Sequence, residues 1–345
     1  MIVRADSPTG GNRARLAASY LAGDARPSGR PAHLKLELTN ACNLRCPLCP
    51  HPRMERPQGM MSPSLLQRIV EMAAPELEFA YLHHLGESLL HPALGEMIAI
   101  ARSRGAAAGL STNATLLDDE RGAAILDAGL DLLVISLDAA TEPTYAALRP
   151  ARRPGATSLD GVTALVERFL VKRERRGEGA RRPLVSVQML ITERTAPERA
   201  AFVARWHRPE RGVAVMLKEP RDWAGAVPLV PSLQALGRGG CRMPWTELTV
   251  LWDGRVVPCA NHAEAVNVLG DLSVQTLDEI WDGPALRALR AAHAAGDSAA
   301  VPVCARCPGH TLDDAGAADF VAVDQLAQRR RTYIDGGTGI RAGLS

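Results

Sequence analysis

The chain has 345 residues, a length that accommodates about two domains, and 46% of them are hydrophobic, enough for a sizeable core. Its formal net charge is only +2 and no basic stretch is interleaved with aromatics, which argues against a nucleic-acid partner. No run of about 18 apolar residues occurs, so no membrane-spanning helix is expected, and the N-terminus lacks the apolar centre of a secretory signal.

After an N-terminal extension over residues 1–32, strand-like runs fall near 33–40, 78–87, 107–114, 130–139, 183–192 and 212–219. Helical periodicity falls between them, near 62–74, 91–104, 118–128, 158–177 and 196–207. Six strand–helix steps predict an α/β fold, a parallel sheet with crossover helices closing into a partial barrel over residues 33–223. The mixed-charge run at 172–182 is a helix end and its loop, a solvated face.

The first strand runs into Thr39-Asn40-Ala41-Cys42, and Cys42, Cys46 and Cys49 follow at C-x3-C-x2-C spacing. Clustered cysteines in a chain without a secretory signal point to metal before disulfide. Three thiolates on one loop can hold three irons of a cubane iron–sulfur cluster and leave the fourth open to a small molecule. The loop sits at the C-terminal end of a strand, the edge where α/β folds build active sites.

Beyond the sixth strand the texture changes. Residues 224–240 are rich in Gly and Pro and form a linker. The remaining cysteines, Cys241, Cys259, Cys304 and Cys307, lie in a second module over 241–312, followed by a C-terminal extension over 313–345. Asp253-Gly254 between two apolar runs predicts a hairpin that returns Cys259 towards Cys241. A helical pattern over 277–295 contains Pro284, which marks a break or a new start. Cys304 and Cys307 form a C-x2-C turn. On spacing alone the quartet suits zinc as well as an iron–sulfur cluster.

With the cysteine triplet, three further strand ends resemble the radical S-adenosylmethionine (radical SAM) superfamily: Leu85-Gly86-Glu87-Ser88, Thr112-Asn113-Ala114 and Ser136-Leu137-Asp138. The resemblance implies a [4Fe–4S] cluster on Cys42, Cys46 and Cys49 that binds SAM and cleaves it reductively to a 5′-deoxyadenosyl radical. It also implies SAM contacts from Gly86 and Glu87 near the methionine amino group, from Asn113, and from Ser136 and Asp138 near the carboxylate and ribose. Leu48 stands where relatives often carry an aromatic near the adenine, and Met216 on the sixth strand could line the same pocket. Ala114 replaces the family's glycine. The region 241–307 resembles the twitch domain, the short form of the SPASM extension, which implies one auxiliary [4Fe–4S] cluster on Cys241, Cys259, Cys304 and Cys307.

No cysteine remains as a hydrogen donor, and a fully ligated auxiliary cluster serves electron transfer or structure. This combination resembles the aminocyclitol dehydrogenases of the butirosin-pathway type. It implies oxidation of a secondary alcohol on an aminocyclitol or aminoglycoside-type sugar in antibiotic biosynthesis, fed by a flavodoxin- or ferredoxin-type reductant. Arg221 is the first candidate for substrate proton handling, with His84 or His83 as a substrate contact. Adjacent strand positions point to opposite faces, so at most one of the two histidines is expected to face the barrel interior. The alternatives are a ribosomal-peptide maturase, for which residues 1–32 are too short to supply a leader-binding domain, and a radical sugar epimerase with a hydrogen donor such as a tyrosine. Cluster thiolates need a reducing compartment, hence a cytoplasmic location.

Overall fold

The computed structural model describes residues 8–153, 155–177, 182–218, 220, 223–227, 240–297 and 300–307. Most of the expected linker and the stretch 313–345 lie outside the described residues, as does Arg221. No described helix is long and apolar enough to cross a membrane.

Six strands pair in parallel and in chain order: β1 (His33–Leu36), β2 (Phe79–Tyr81), β3 (Ala107–Thr112), β4 (Leu132–Ser136), β5 (Leu184–Leu190) and β6 (Val213–Lys218). The helices in chain order are α1 (Pro8–Leu21), α2 (Pro63–Ala73), α3 (Leu94–Arg102), α4 (Asp119–Asp127), α5 (Glu142–Leu148), α6 (Leu159–Glu174) and α7 (Arg199–Trp206). Local chemistry sets their limits. In α2 the Ser62 hydroxyl accepts from Leu65 N–H and Pro63 opens the helix, while Leu66, Ile69, Val70 and Ala73 give it one buried stripe. Asp118 caps α4 in the same way.

Alternate residues of the strands, such as Leu34, Leu36, Ala80, Leu110, Leu133, Ile135, Val187 and Val215, pack against the helices in the main core. Phe79, Leu132 and Val134 form a smaller apolar cluster of their own, with Tyr81, Ala107 and Leu184 packed against it. This two-sided burial is why the strands read as apolar runs rather than as alternation.

The C-terminal region adds α8 (Met243–Thr246), β7 (Glu247–Val250), β8 (Arg255–Val257), β9 (Gly270–Asp271), α9 (Leu277–Trp281) and α10 (Pro284–Ala294). The expected hairpin is β7–β8, and Pro284 is the first residue of a new helix. β7 pairs in parallel with β1, in register His33↔Glu247 and Lys35↔Thr249, so the sheet continues through both regions with the order β6-β5-β4-β3-β2-β1-β7-β8-β9.

Two polar clasps tie the regions together. Buried Arg56 donates to both oxygens of buried Glu37, at 3.1 and 2.7 Å, and to the Ala263 carbonyl at 2.5 Å. Helix α1, absent from the sequence-based element list, packs Tyr20 edge-on against Trp245 at 5.3 Å, and the Tyr20 hydroxyl donates to the Gly240 carbonyl at 2.7 Å. The N-terminal extension is thereby fastened to the C-terminal region.

Candidate active site

The cysteine loop leaves β1 at the C-terminal edge of the sheet. Asn40 braces it, donating to Pro57 O at 2.9 Å and accepting from Gly59 N–H at 2.9 Å, and His51 Nε2 lies 2.7 Å from Asn40 O. Gly86 has φ +83°, and a Cβ there would stand 2.4 Å from Thr39 O and 2.7 Å from Ala41 O. Only glycine lets the end of the second strand–helix unit approach the cysteine loop so closely. The next N–H, of Glu87, donates to Ala41 O at 2.8 Å.

Glu87 itself is turned away from the cavity. Its carboxylate accepts from the Thr112 hydroxyl at 2.6 Å, Asn113 N–H at 2.7 Å and Leu89 N–H at 3.0 Å. Burial pushes its pKa up, and these donors pull it back. It ties the ends of β2 and β3 together. Asn113 donates from its side chain to Asn43 Oδ1 at 2.9 Å, within the cysteine loop, and accepts from Thr115 N–H at 2.9 Å. Ala114 adopts φ 59°, a left-handed conformation that favours glycine.

A cavity of about 660 Å³ opens above the sheet, with Cys46, Leu48, Cys49, Gly86, Ser136, Asp138 and Met216 in its wall; Cys42, Glu87 and Asn113 lie outside that lining. Ser136 Oγ is 3.3 Å from Ser111 Oγ. Asp138, at φ 59°, accepts from Leu190 N–H at 2.8 Å and pairs with Arg149. Arg149 was missed from sequence. It lies 11 residues beyond Asp138, is largely buried, donates to Asp138 and to Cys46 Sγ at 3.6 Å, and faces the cavity. The carboxylate and sulfur partners push its pKa further up, against the burial that lowers it. The available signal was a basic residue closing the short helix α5 behind the Ser-x-Asp strand end.

Both His83 and His84 line the cavity, against the expectation that only one would. The reason is that β2 ends at Tyr81, so the alternation of strand faces no longer applies. Neither ring nitrogen of His84 has a hydrogen-bond partner among the described residues. Burial, helped by Arg56, Lys35 and His262, drives its pKa well below the usual histidine value and keeps it neutral.

The three loop thiols lie within electrostatic reach of one another: Cys42 feels both Cys46 and Cys49, and Cys49 feels Cys46. Burial pushes Cys42 to about 12 and Cys49 to about 11. Free thiols there hold their protons at neutral pH, and metal binding must displace them. Members of the quartet also sense one another. Cys304 feels Cys259 and Cys307, Cys259 feels Cys241, and burial raises both Cys259 and Cys304 to about 12. Asn261 Nδ2 donates to Cys307 Sγ at 3.2 Å. All seven cysteines are free of disulfides. Among the described residues no three His, Cys, Asp or Glu side chains close on a single metal ion. Thiolates are the donors that iron–sulfur clusters use, each taking its own iron, so the two cysteine sets have the donor chemistry for such clusters.

The family model for the radical SAM superfamily matches residues 36–172, and that for SPASM, an iron–sulfur cluster-binding domain, matches 241–308. Among curated relatives, the tungsten-containing aldehyde ferredoxin oxidoreductase cofactor-modifying protein of Pyrococcus furiosus is 30% identical over 260 residues, 66% of this chain and 70% of that protein. The PqqA peptide cyclase of Gluconobacter oxydans is 27% identical over 279 residues, 73% of this chain and 76% of that protein. Among solved structures, Streptococcus suis SuiB bound to its precursor peptide SuiA aligns with TM-score 0.62 at 13% identity, covering 80% of this chain and 70% of that one. BtrN in complex with AdoMet and 2-DOIA aligns with TM-score 0.53 at 16% identity, covering 80% and 92%. At these identities the structural likeness shows the fold. The radical SAM domain implies SAM and a [4Fe–4S] cluster, and the SPASM domain implies auxiliary iron–sulfur binding. The chain belongs to the radical SAM superfamily and carries a SPASM domain behind its barrel.

Proposed function

We propose that this protein is a radical SAM oxidoreductase that oxidises a secondary alcohol of an aminocyclitol or aminoglycoside-type sugar to a ketone. The observation that carries the reading is the cavity. At about 660 Å³ it has the size of a small-molecule pocket, and its wall joins the SAM-side residues to a charged group, Lys35 and Glu247, and to His84. The cysteine count supports it, because two cluster sets would use all seven and leave no thiol to return a hydrogen atom, so an epimerase would need another donor such as a tyrosine.

When bound, SAM and its cluster supply a radical that abstracts hydrogen, and the auxiliary cluster supplies a one-electron acceptor. The chain's own residues position and exclude. The Arg149 guanidinium, preorganised by Asp138, suits the SAM carboxylate. Ser136 and Asp138 would hold the ribose side. Leu48 and Met216 would give apolar contact to the adenine. Cys42, Cys46 and Cys49 would hold the first cluster, and Cys241, Cys259, Cys304 and Cys307 the second. His84, kept neutral by burial and with no hydrogen-bond partner for either ring nitrogen among the described residues, can contact substrate as a hydrogen-bonding group rather than as a base. Arg221, outside the described residues, stands as the first candidate for handling the substrate proton.

A second reading, modification of a peptide or protein, is favoured by the two curated relatives, whose names specify a peptide and a cofactor-modifying activity. The test is an anaerobic reaction with reductant and SAM, offered aminocyclitols and amino sugars and analysed by mass spectrometry. Loss of two hydrogens from one sugar, together with 5′-deoxyadenosine, supports alcohol oxidation. Unchanged mass with solvent deuterium indicates epimerisation. Turnover only of peptides encoded beside the gene supports the second reading.

A further inference from the structure

We infer that the Lys35–Glu247 ion pair is the substrate anchor, a subsite for a small polyhydroxylated amine that presents an amino group beside a hydroxyl; the inference rests on the sugar-alcohol reading. Lys35 lies on β1 and Glu247 on β7, so the pair closes across the seam between the barrel and the SPASM region. Both residues line the same cavity as Cys49 and Ser136. The same wall includes His84 and Ala260, the neighbour of Cys259, so a ligand held at the pair would share its space with residues of both regions.

The chemistry of the pair suits an amino alcohol. The Lys35 ammonium has three donors and makes one hydrogen bond among the described residues, to Glu247. Its remaining donors can meet a hydroxyl oxygen, while the Glu247 carboxylate can accept from an ammonium or hydroxyl of the ligand. The Tyr81 ring, 5.9 Å from the Lys35 ammonium, holds that charge in place from one side. A partly buried ion pair adds little net stability compared with apolar packing, so a purely structural role explains the placement poorly.

The test is isothermal titration of the reconstituted, SAM-loaded protein with 2-deoxystreptamine, and with myo-inositol as the ligand lacking amines. Variants are Lys35→Met, Glu247→Gln and the charge exchange Lys35→Glu with Glu247→Lys, which keeps an ion pair across the seam. The expected result is binding of 2-deoxystreptamine in preference to myo-inositol by the unmodified protein, weakened at least tenfold in each folded variant, with SAM affinity and iron content retained. Equal affinity in the charge-exchange variant makes the pair a strand staple and overturns the inference while leaving alcohol oxidation standing. Failure of the unmodified protein to bind 2-deoxystreptamine overturns the anchor, and if it also oxidises no sugar alcohol in the mass-spectrometric assay, the function reading falls with it.

Discussion

Asn261 links two cysteines of the auxiliary set: its side-chain amide donates to Cys307 Sγ at 3.2 Å, and its backbone N–H donates to Cys259. It thus connects the hairpin cysteine to the C-x2-C turn, 46 residues apart from Cys307 in the chain. Hydrogen bonds to ligand sulfurs stabilise the reduced, more negative cluster. Replacing Asn261 with Ala should therefore lower the auxiliary midpoint potential. A tenfold change in the reduction equilibrium corresponds to about 59 mV for one electron. A redox titration followed by electron paramagnetic resonance measures it, and an unshifted midpoint would show that the side-chain bond has no electronic role.

Arg149 and Asp138 form a largely buried ion pair, with side chains 12% and 4% exposed. Arg149→Met leaves the Asp138 carboxylate without its cation, and breaking a buried pair from one side costs about 3–5 kcal/mol. The variant should melt earlier and bind SAM more weakly. Arg149→Lys should recover part of the stability and less of the SAM affinity, because an ammonium cannot reproduce the guanidinium fork. Equal SAM affinity in all three proteins would remove Arg149 from the SAM site.

Gly86→Ala tests the approach of the second strand end to the cysteine loop. A side chain at φ +83° with backbone oxygens at 2.4 and 2.7 Å must push the loop away. The conformational cost alone is about 1–2 kcal/mol, and the clash adds to it. The expected outcome is reduced stability and reduced iron incorporation on Cys42, Cys46 and Cys49, read by iron and sulfide content. Full cluster loading in this variant would show that the contact does not set the loop.

His33 has a predictable acid response. Burial, the largest cause, lowers its pKa from 6.5 to about 4 in the fold, with Glu247 opposing. Between these values the unfolded chain holds a proton that the folded chain does not, so stability falls as pH drops from about 6.5 to about 4 and this loss stops below that. The shift corresponds to at most about 3.4 kcal/mol. His33→Gln should flatten that part of the stability profile in denaturant titrations at successive pH values. An unchanged slope would place the acid sensitivity elsewhere.

The alternation of strands and helices was legible because each element carries its own periodicity. All six barrel strands appear in order, and Pro284 opens a helix as its missing N–H allows. Helix α1 escaped because PTGGNRARLAASYL has two glycines and no cap signal; its placement depends on Trp245 and Gly240, more than 200 residues away. The paired lining by His83 and His84 escaped because it depends on where β2 stops.

The sequence by itself determined the chemistry available. Seven cysteines at these spacings, a glycine before Glu87 and a Ser-x-Asp strand end specify ligand types and their order along the chain. Only the tertiary structure decided which groups face the cavity and which hold its frame. It spends Glu87 on Thr112 and Asn113, brings Arg149 to Asp138, and sets Lys35 against Glu247. The physical reason is that ligand type is a property of one residue, whereas a hydrogen-bonding assignment belongs to a pair. The Lys35–Glu247 pair meets across 212 residues, through a parallel pairing of β1 with β7 that no local periodicity encodes.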